Sequence, residues 1–192
     1  MGVGLVRSRR GAYVALAVLT LIWGNNWIVM KLALQHAHPV MLNVERTWLA
    51  TLVLFAVLAA QRRPLIPPSW LAVVVTGFFQ TTINFSATSM ALAGGGAGRT
   101  SVLVFTMPFW TLLIAWPVLH ERVKGGQWFA VAFAFTGLAL VVEPWNWTGD
   151  LGPKLWAVLS GFGWAAGTVA TKYFLRGRSF DPLNFIAWQM LV

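Results

Sequence analysis

Two adjacent amides, Asn25 and Asn26, stand between two indoles, Trp23 and Trp27, in the middle of an apolar run. An amide both donates and accepts hydrogen bonds, and an indole offers an apolar face and one N–H. That set suits contact with an amphiphilic organic molecule. It equally suits interhelical hydrogen bonds with the tryptophans packed beside them. Successive helix residues point ~100° apart, so only one of the two amides is expected to face a cavity. Gln80 and Asn84 form a second pair, four residues apart and so on one helix face. The intervening Thr81 and Thr82 say less, because threonine hydroxyls often bond their own helix. Thr106 and Pro108 lie midway along a later run. Proline lacks an N–H and frees a carbonyl one turn back, which makes either a passive kink or a broken helix that shapes a site.

Among the charged residues, Lys31, Glu45 and Arg46 fall toward the ends of their runs, with Arg46 the deepest. Lys31 and Glu45 are readable as a structural pair, or Lys31 as a snorkelling side chain. Lys172 is expected to snorkel as well. Trp164 and Trp188 are deep indoles, with Trp48 and Trp110. By contrast Trp70, Trp116, Trp128, Trp145, Trp147 and Trp156 sit near run boundaries, as belt residues do. The candidate ligand-lining set is therefore Trp23, Asn25, Asn26, Trp27, Arg46, Gln80, Asn84, Thr106, Pro108, Trp164 and Trp188. Lys31, Glu45 and Lys172 are candidates for gating or charge pairing.

Other chemistries are thinly represented. His36 and His38 share a short loop but have no third ligand for a metal. His120, Glu121 and Arg122 are the one dense polar cluster, and they look like a loop rather than a convergent catalytic set. No phosphate-binding glycine loop is present, so no nucleotide is implied, and no metal or other cofactor. Asn146-Trp147-Thr148 matches a glycosylation sequon of the kind that arises by chance.

The elements that must carry these residues follow from composition. Charged residues are 10% of the 192, against about 25% in a soluble domain. Apolar residues make up 58%, too many for a water-facing surface to hide. With no cysteine, a disulfide scaffold and thiol chemistry are excluded. What remains is an all-α polytopic membrane protein, in contact with a lipid bilayer. The runs do not alternate as barrel strands would. They predict helices over 11–34, 40–60, 69–92, 97–119, 125–143 and 154–175, with another starting near Pro182. Breaks fall at Arg62-Arg63-Pro64, Gly94-Gly95-Gly96, Gly125-Gly126 and between Pro144 and Pro153. Residues 11–34 are too long and lack the cleavage site of a signal peptide, so a retained span is expected.

The net charge of +9 would suggest nucleic acid in a soluble protein. Here the cations are split among loops, so no nucleic-acid partner is expected. Nine of them (Arg7, Arg9, Arg10, Arg62, Arg63, Arg122, Lys124, Arg176, Arg178) fall on one side, against Arg99 and Lys154 on the other. The positive-inside rule then puts the N-terminus in the cytoplasm.

A weak internal repeat is also present. Trp23 and Lys31 recur 141 residues later as Trp164 and Lys172. Pro39 and Arg46 recur 143 residues later as Pro182 and Gln189. Five helices separate the copies, and an odd number inverts the second in the membrane, as in many secondary transporters. The first unit is then 11–143 and the start of the second 152–192. A full second copy would need a chain of roughly 290 residues, so a truncated form is expected.

In order along the chain, LIWGNNWIVMKLAL, Pro39 with Arg46, AGRTSVLVFTMPFW, Glu121-Arg122 with Gly137, SGFGWAAGTVATKY and PLNFIAWQM resemble the EamA-like branch of the drug/metabolite transporter superfamily. The resemblance implies ten helices in two inverted repeats and movement of metabolites, amino acids or drug-like compounds across the bacterial inner membrane. It also draws Arg46 toward substrate or gating contact. The expected function is thus secondary transport of a small molecule, most simply export by alternating access, rather than enzyme catalysis. The alternative is a non-transporting remnant or a half-length subunit that assembles with a partner, a second copy included.

Overall fold

The computed structural model describes residues 9–121, 125–142 and 151–192, with only the backbone of Arg9, Arg10, Gln127, Val141 and Val142. Arg7, Arg122, Lys124, Glu143, Trp145 and the Asn146-Trp147-Thr148 sequon, with its belt candidate Trp147, lie outside the described residues. All the regular structure described is helical. The helices are α1 (Arg9–Ala33), α2 (Pro39–Ala60), α3 (Trp70–Gly77), α4 (Asn84–Gly94), α5 (Ala97–Val104), α6 (Met107–Leu119), α7 (Gln127–Val142), α8 (Gly152–Leu175) and α9 (Pro182–Gln189). A π-helical turn, Phe78–Ile83, joins α3 to α4.

Local sequence explains most of the boundaries. Proline at the first helical position needs no hydrogen-bond partner, and Pro39 and Pro182 open α2 and α9 in this way. The residue before each is the cap: His38 Nδ1 accepts from Val40 N–H, and Asp181 Oδ1 accepts from the N–H groups of Leu183 and Asn184. Ser69 caps α3 through Ala72 N–H. Pro108 cannot donate to Val104, so the run 97–119 divides into α5 and α6 at Phe105 and Thr106. Of the two outcomes that Pro108 allows, a kink or a break, the backbone shows a break between α5 and α6.

Four helical stretches, Gly11–Ala33, Pro39–Ala60, Trp70–Gly94 and Ala97–Leu119, are long and apolar enough to cross a bilayer. At ~1.5 Å per residue, 22 residues cover the ~30 Å hydrocarbon core. The apolar part of α7, Trp128–Leu140, is shorter. Most of the large apolar side chains of α1 and α7 face outward, with Phe129 82% and Phe133 85% exposed, while Trp27 and Met30 of α1 turn inward. Such surfaces are stable against lipid and not against water.

α8 is the hub of the described chain. It has 24 residues and packs against α3, the π turn, α4, α5 and α6. It is not among the strongly apolar stretches, because its buried surface is built from small residues: Ala157, Ser160, Gly161, Gly163, Ala165, Ala166 and Gly167. These let neighbouring backbones approach closely. A Cβ on Gly163 would lie 2.8 Å from the Phe79 carbonyl oxygen and 3.2 Å from Asn84 N. One on Gly161 would lie 2.8 Å from the Val104 oxygen, beside the α5–α6 break. Glycine at these positions is therefore a packing requirement. Gly94 likewise abuts Pro153, whereas nothing lies within 4 Å of a Cβ on Gly98.

Candidate functional site

A cavity of about 520 Å³ opens among α1, α2, α4, the α5–α6 break, α8 and α9. α1 contributes Trp23, Asn26 and Trp27, one helical turn of a single face. Asn25 points elsewhere, and its Nδ2 donates to the Leu21 carbonyl at 2.9 Å, one turn back. The ~100° step between neighbours separates the two amides as geometry requires.

The π turn and α4 contribute Gln80, Asn84, Phe85 and Thr88. Asn84 is buried and donates to the backbone oxygen (2.9 Å) and Oγ (2.8 Å) of Ser160 on α8. Thr88 Oγ1 and Ser160 Oγ share a 2.6 Å hydrogen bond. Gln80 donates to Thr168 Oγ1 at 3.0 Å and accepts from Gln189 Nε2 at 2.9 Å. The wider π turn displaces the helix locally, a geometry common at functional sites. Nothing in the sequence announces it.

α2 contributes Arg46. One turn earlier, Asn43 donates to the Phe85 oxygen and accepts from Ser89 Oγ, both at 2.9 Å, which fastens α2 to α4. Arg46 Nη1 then donates to Met30 Sδ at 2.8 Å, and its guanidinium carbon lies 5.5 Å from the Phe85 ring centroid. From α8 and α9 come Trp164, Ile186 and Gln189.

Seven of the eleven sequence candidates thus line one cavity: Trp23, Asn26, Trp27, Arg46, Gln80, Asn84 and Trp164. Asn25, Thr106, Pro108 and Trp188 do not. Pro108 lines a separate groove between α5–α6 and α7. Thr106 lies against α8 at Gly161. Trp188 faces the opposite way: its Nε1 donates to the Leu65 oxygen at 2.7 Å, and its ring meets Phe55 and Trp70 edge-on. Of the other deep indoles, Trp48 is 58% exposed and Trp110 packs on Phe162.

The charge candidates find other partners. Lys31 does not pair with Glu45. Its Nζ donates to the Leu92 (2.6 Å) and Ala93 (3.2 Å) oxygens at the C-terminus of α4, where carbonyls lack helical partners and the dipole favours a cation. Glu45 is exposed. Rather than snorkelling alone, Lys172 forms an ion pair with Glu121 at 2.6 Å. Arg63 and Asp181 pair at 3.3 Å, and Asn184 donates to the Pro64 oxygen. These contacts tie the 61–69 loop to the start of α9.

Gln189, Met30, Phe85 and Thr88 belong to the lining although composition alone did not single them out. Gln189 had a signal: it stands 143 residues after Arg46, close to the 141-residue offset from Trp23 to Trp164. Both repeat pairs that reach the cavity, Trp23 with Trp164 and Arg46 with Gln189, place both members on its wall.

Residues 10–143 match the EamA-like transporter family. The chain belongs to that family. Among EamA-like relatives, a probable amino-acid metabolite efflux pump of Salmonella typhimurium is 26% identical over 96% of this chain and 61% of its own length. An uncharacterized transporter, YoaV of Bacillus subtilis, is 24% identical over 91% of this chain and 61% of its own. A riboflavin transporter of Rhizobium johnstonii is 30% identical over 84% of this chain and 51% of its own. The chain therefore spans about three fifths of the length of the curated relatives it matches, or less. No solved structure matches it. Family membership and the apolar helices together make this a multi-pass membrane protein.

Proposed function

We propose that this EamA-like chain carries a small organic molecule across the bacterial inner membrane by alternating access, in the direction of export, and that the 520 Å³ cavity is its substrate site. One observation carries the proposal: residues related by the internal repeat, Trp23 with Trp164 and Arg46 with Gln189, converge on one cavity. Inverted-repeat transporters place their site where the two halves meet. The first unit is 11–143 and the second begins at 152. Relatives named for amino-acid metabolite efflux and for riboflavin support a metabolite-sized substrate. The N-terminus is cytoplasmic in this account. In support, the Arg63–Asp181 and Lys172–Glu121 pairs gather at the end where the lysine- and arginine-rich loops lie.

Proteoliposomes containing the chain, loaded with amino acids or riboflavin, test this. Release above that of empty vesicles is expected, reduced in Arg46→Ala and retained in Asn25→Ala. Release equal to that of empty vesicles for the unaltered chain contradicts the proposal, and so does equal release by the chain and its Arg46→Ala variant.

A further inference from the structure

Among the described residues that line the cavity, Arg46 is the one that carries a charge. A guanidinium stays protonated under all ordinary conditions. Arg46 lies seven residues into α2, about 10 Å along its axis. An ion at such depth is costly unless something compensates it. Its described partners are a thioether, which is a weak acceptor, and the face of Phe85. No described carboxylate pairs with it. The forked N–H donors that match a carboxylate are left facing a cavity.

The rest of the wall fits a particular kind of anion. Three indoles (Trp23, Trp27 and Trp164) and the rings of Phe85 and Phe105 supply flat apolar surface. Asn26, Gln80, Asn84 and Gln189 are neutral amides. No lining side chain is acidic, so a ligand ammonium group would meet one guanidinium and no counter-ion. A volume of about 520 Å³ is in the range that encloses a single small organic ligand.

We infer that the cavity selects a flat aromatic monoanion, with its carboxylate on Arg46 and its ring against the indoles, over the neutral or zwitterionic molecule with the same ring. This rests on the cavity being the substrate site.

Three probes that share a ring separate charge from shape: 2-naphthoate (anion), 2-naphthamide (neutral) and 3-(2-naphthyl)alanine (zwitterion). Equilibrium dialysis against the full chain in lipid nanodiscs, with empty nanodiscs subtracted, gives each Kd. Naphthoate is expected to bind about tenfold more tightly than either of the others. Arg46→Gln is expected to remove that advantage, bringing the naphthoate and naphthamide Kd values to within about twofold of each other. Arg46→Lys, which keeps the charge, is expected to retain part of it. Because the three probes are compared on the unaltered chain, the inference stays testable if Arg46→Gln does not fold. Equal binding of naphthoate and naphthamide, or tighter binding of the zwitterion, overturns it. If naphthamide then still binds, and Trp164→Ala weakens it, the cavity remains the site and only the charge preference fails. If none of the three binds, the inference and the assignment of the cavity fall together.

Discussion

Gln189 Nε2 donates to Gln80 Oε1 at 2.9 Å, and this bond lies where two cavities meet. The second cavity, about 440 Å³, is lined by Thr168, Thr171, Lys172 and Arg176, and it shares Gln80, Ile186 and Gln189 with the first. The amide pair is a partition between them, with Gln80 held further by Thr168 Oγ1 at 3.0 Å and by the Trp164 oxygen at 3.4 Å. Replacing Gln80 by leucine removes all three bonds, each worth up to about 1 kcal/mol net. With Gln80→Leu, a thiol placed by Thr88→Cys on the first cavity's wall should react roughly fivefold faster with an impermeant maleimide added at the Arg176 side. An unchanged rate would mean that the amide pair is not the barrier.

Asp181 has two jobs that substitution can separate. It caps α9 and pairs with Arg63. The pair is partly exposed, so Asp181→Asn, which can still cap, should cost less than about 1 kcal/mol. Asp181→Ala also loses the cap and should cost about 1 kcal/mol more. Thermal unfolding in detergent should therefore rank the unaltered chain above Asp181→Asn and that above Asp181→Ala. Equal Tm values for the two variants would remove the cap from the account.

Gly163 and Gly98 should respond differently to an added methyl group. Gly163→Ala drives a methyl into the Phe79 oxygen at 2.8 Å and into Ile83 Cγ2 at 2.9 Å. Backbone cannot yield cheaply, so a loss of about 1–3 kcal/mol is expected. Gly98→Ala meets open space inside α5 and should be neutral or gain up to about 1 kcal/mol from helix propensity. Similar Tm values for both variants would show that α8 is not packed as tightly as described.

These cases also show what was legible in the sequence. The helices were legible because apolar length and proline or glycine punctuation are local signals. The α5–α6 break was one of two outcomes that Pro108 allowed, the other being a passive kink in a continuous helix. Facing direction was harder. Trp188 looks as deep as Trp164, yet the α9 face that carries it packs on Phe55, Trp70 and the 61–69 loop. That is decided by helix rotation, which depends on tertiary contacts. Lys31 found backbone carbonyls instead of Glu45 because the end of α4 packs beside α1, a contact 61 residues away in sequence. The π turn under Gln80 left no compositional trace. Gln189 was within reach, since the repeat offset that pairs it with Arg46 is written in the chain.

The account turns on a cavity whose wall includes Asn26 and excludes Asn25. The chain has no cysteine, so Asn25→Cys and Asn26→Cys each carry a single thiol. The deciding measurement is the rate at which a membrane-impermeant maleimide modifies each variant in proteoliposomes. Rapid modification of Asn26→Cys, with Asn25→Cys slow because it lies off the cavity wall, is the predicted result. Equal rates, or faster modification of Asn25→Cys, would contradict the cavity itself.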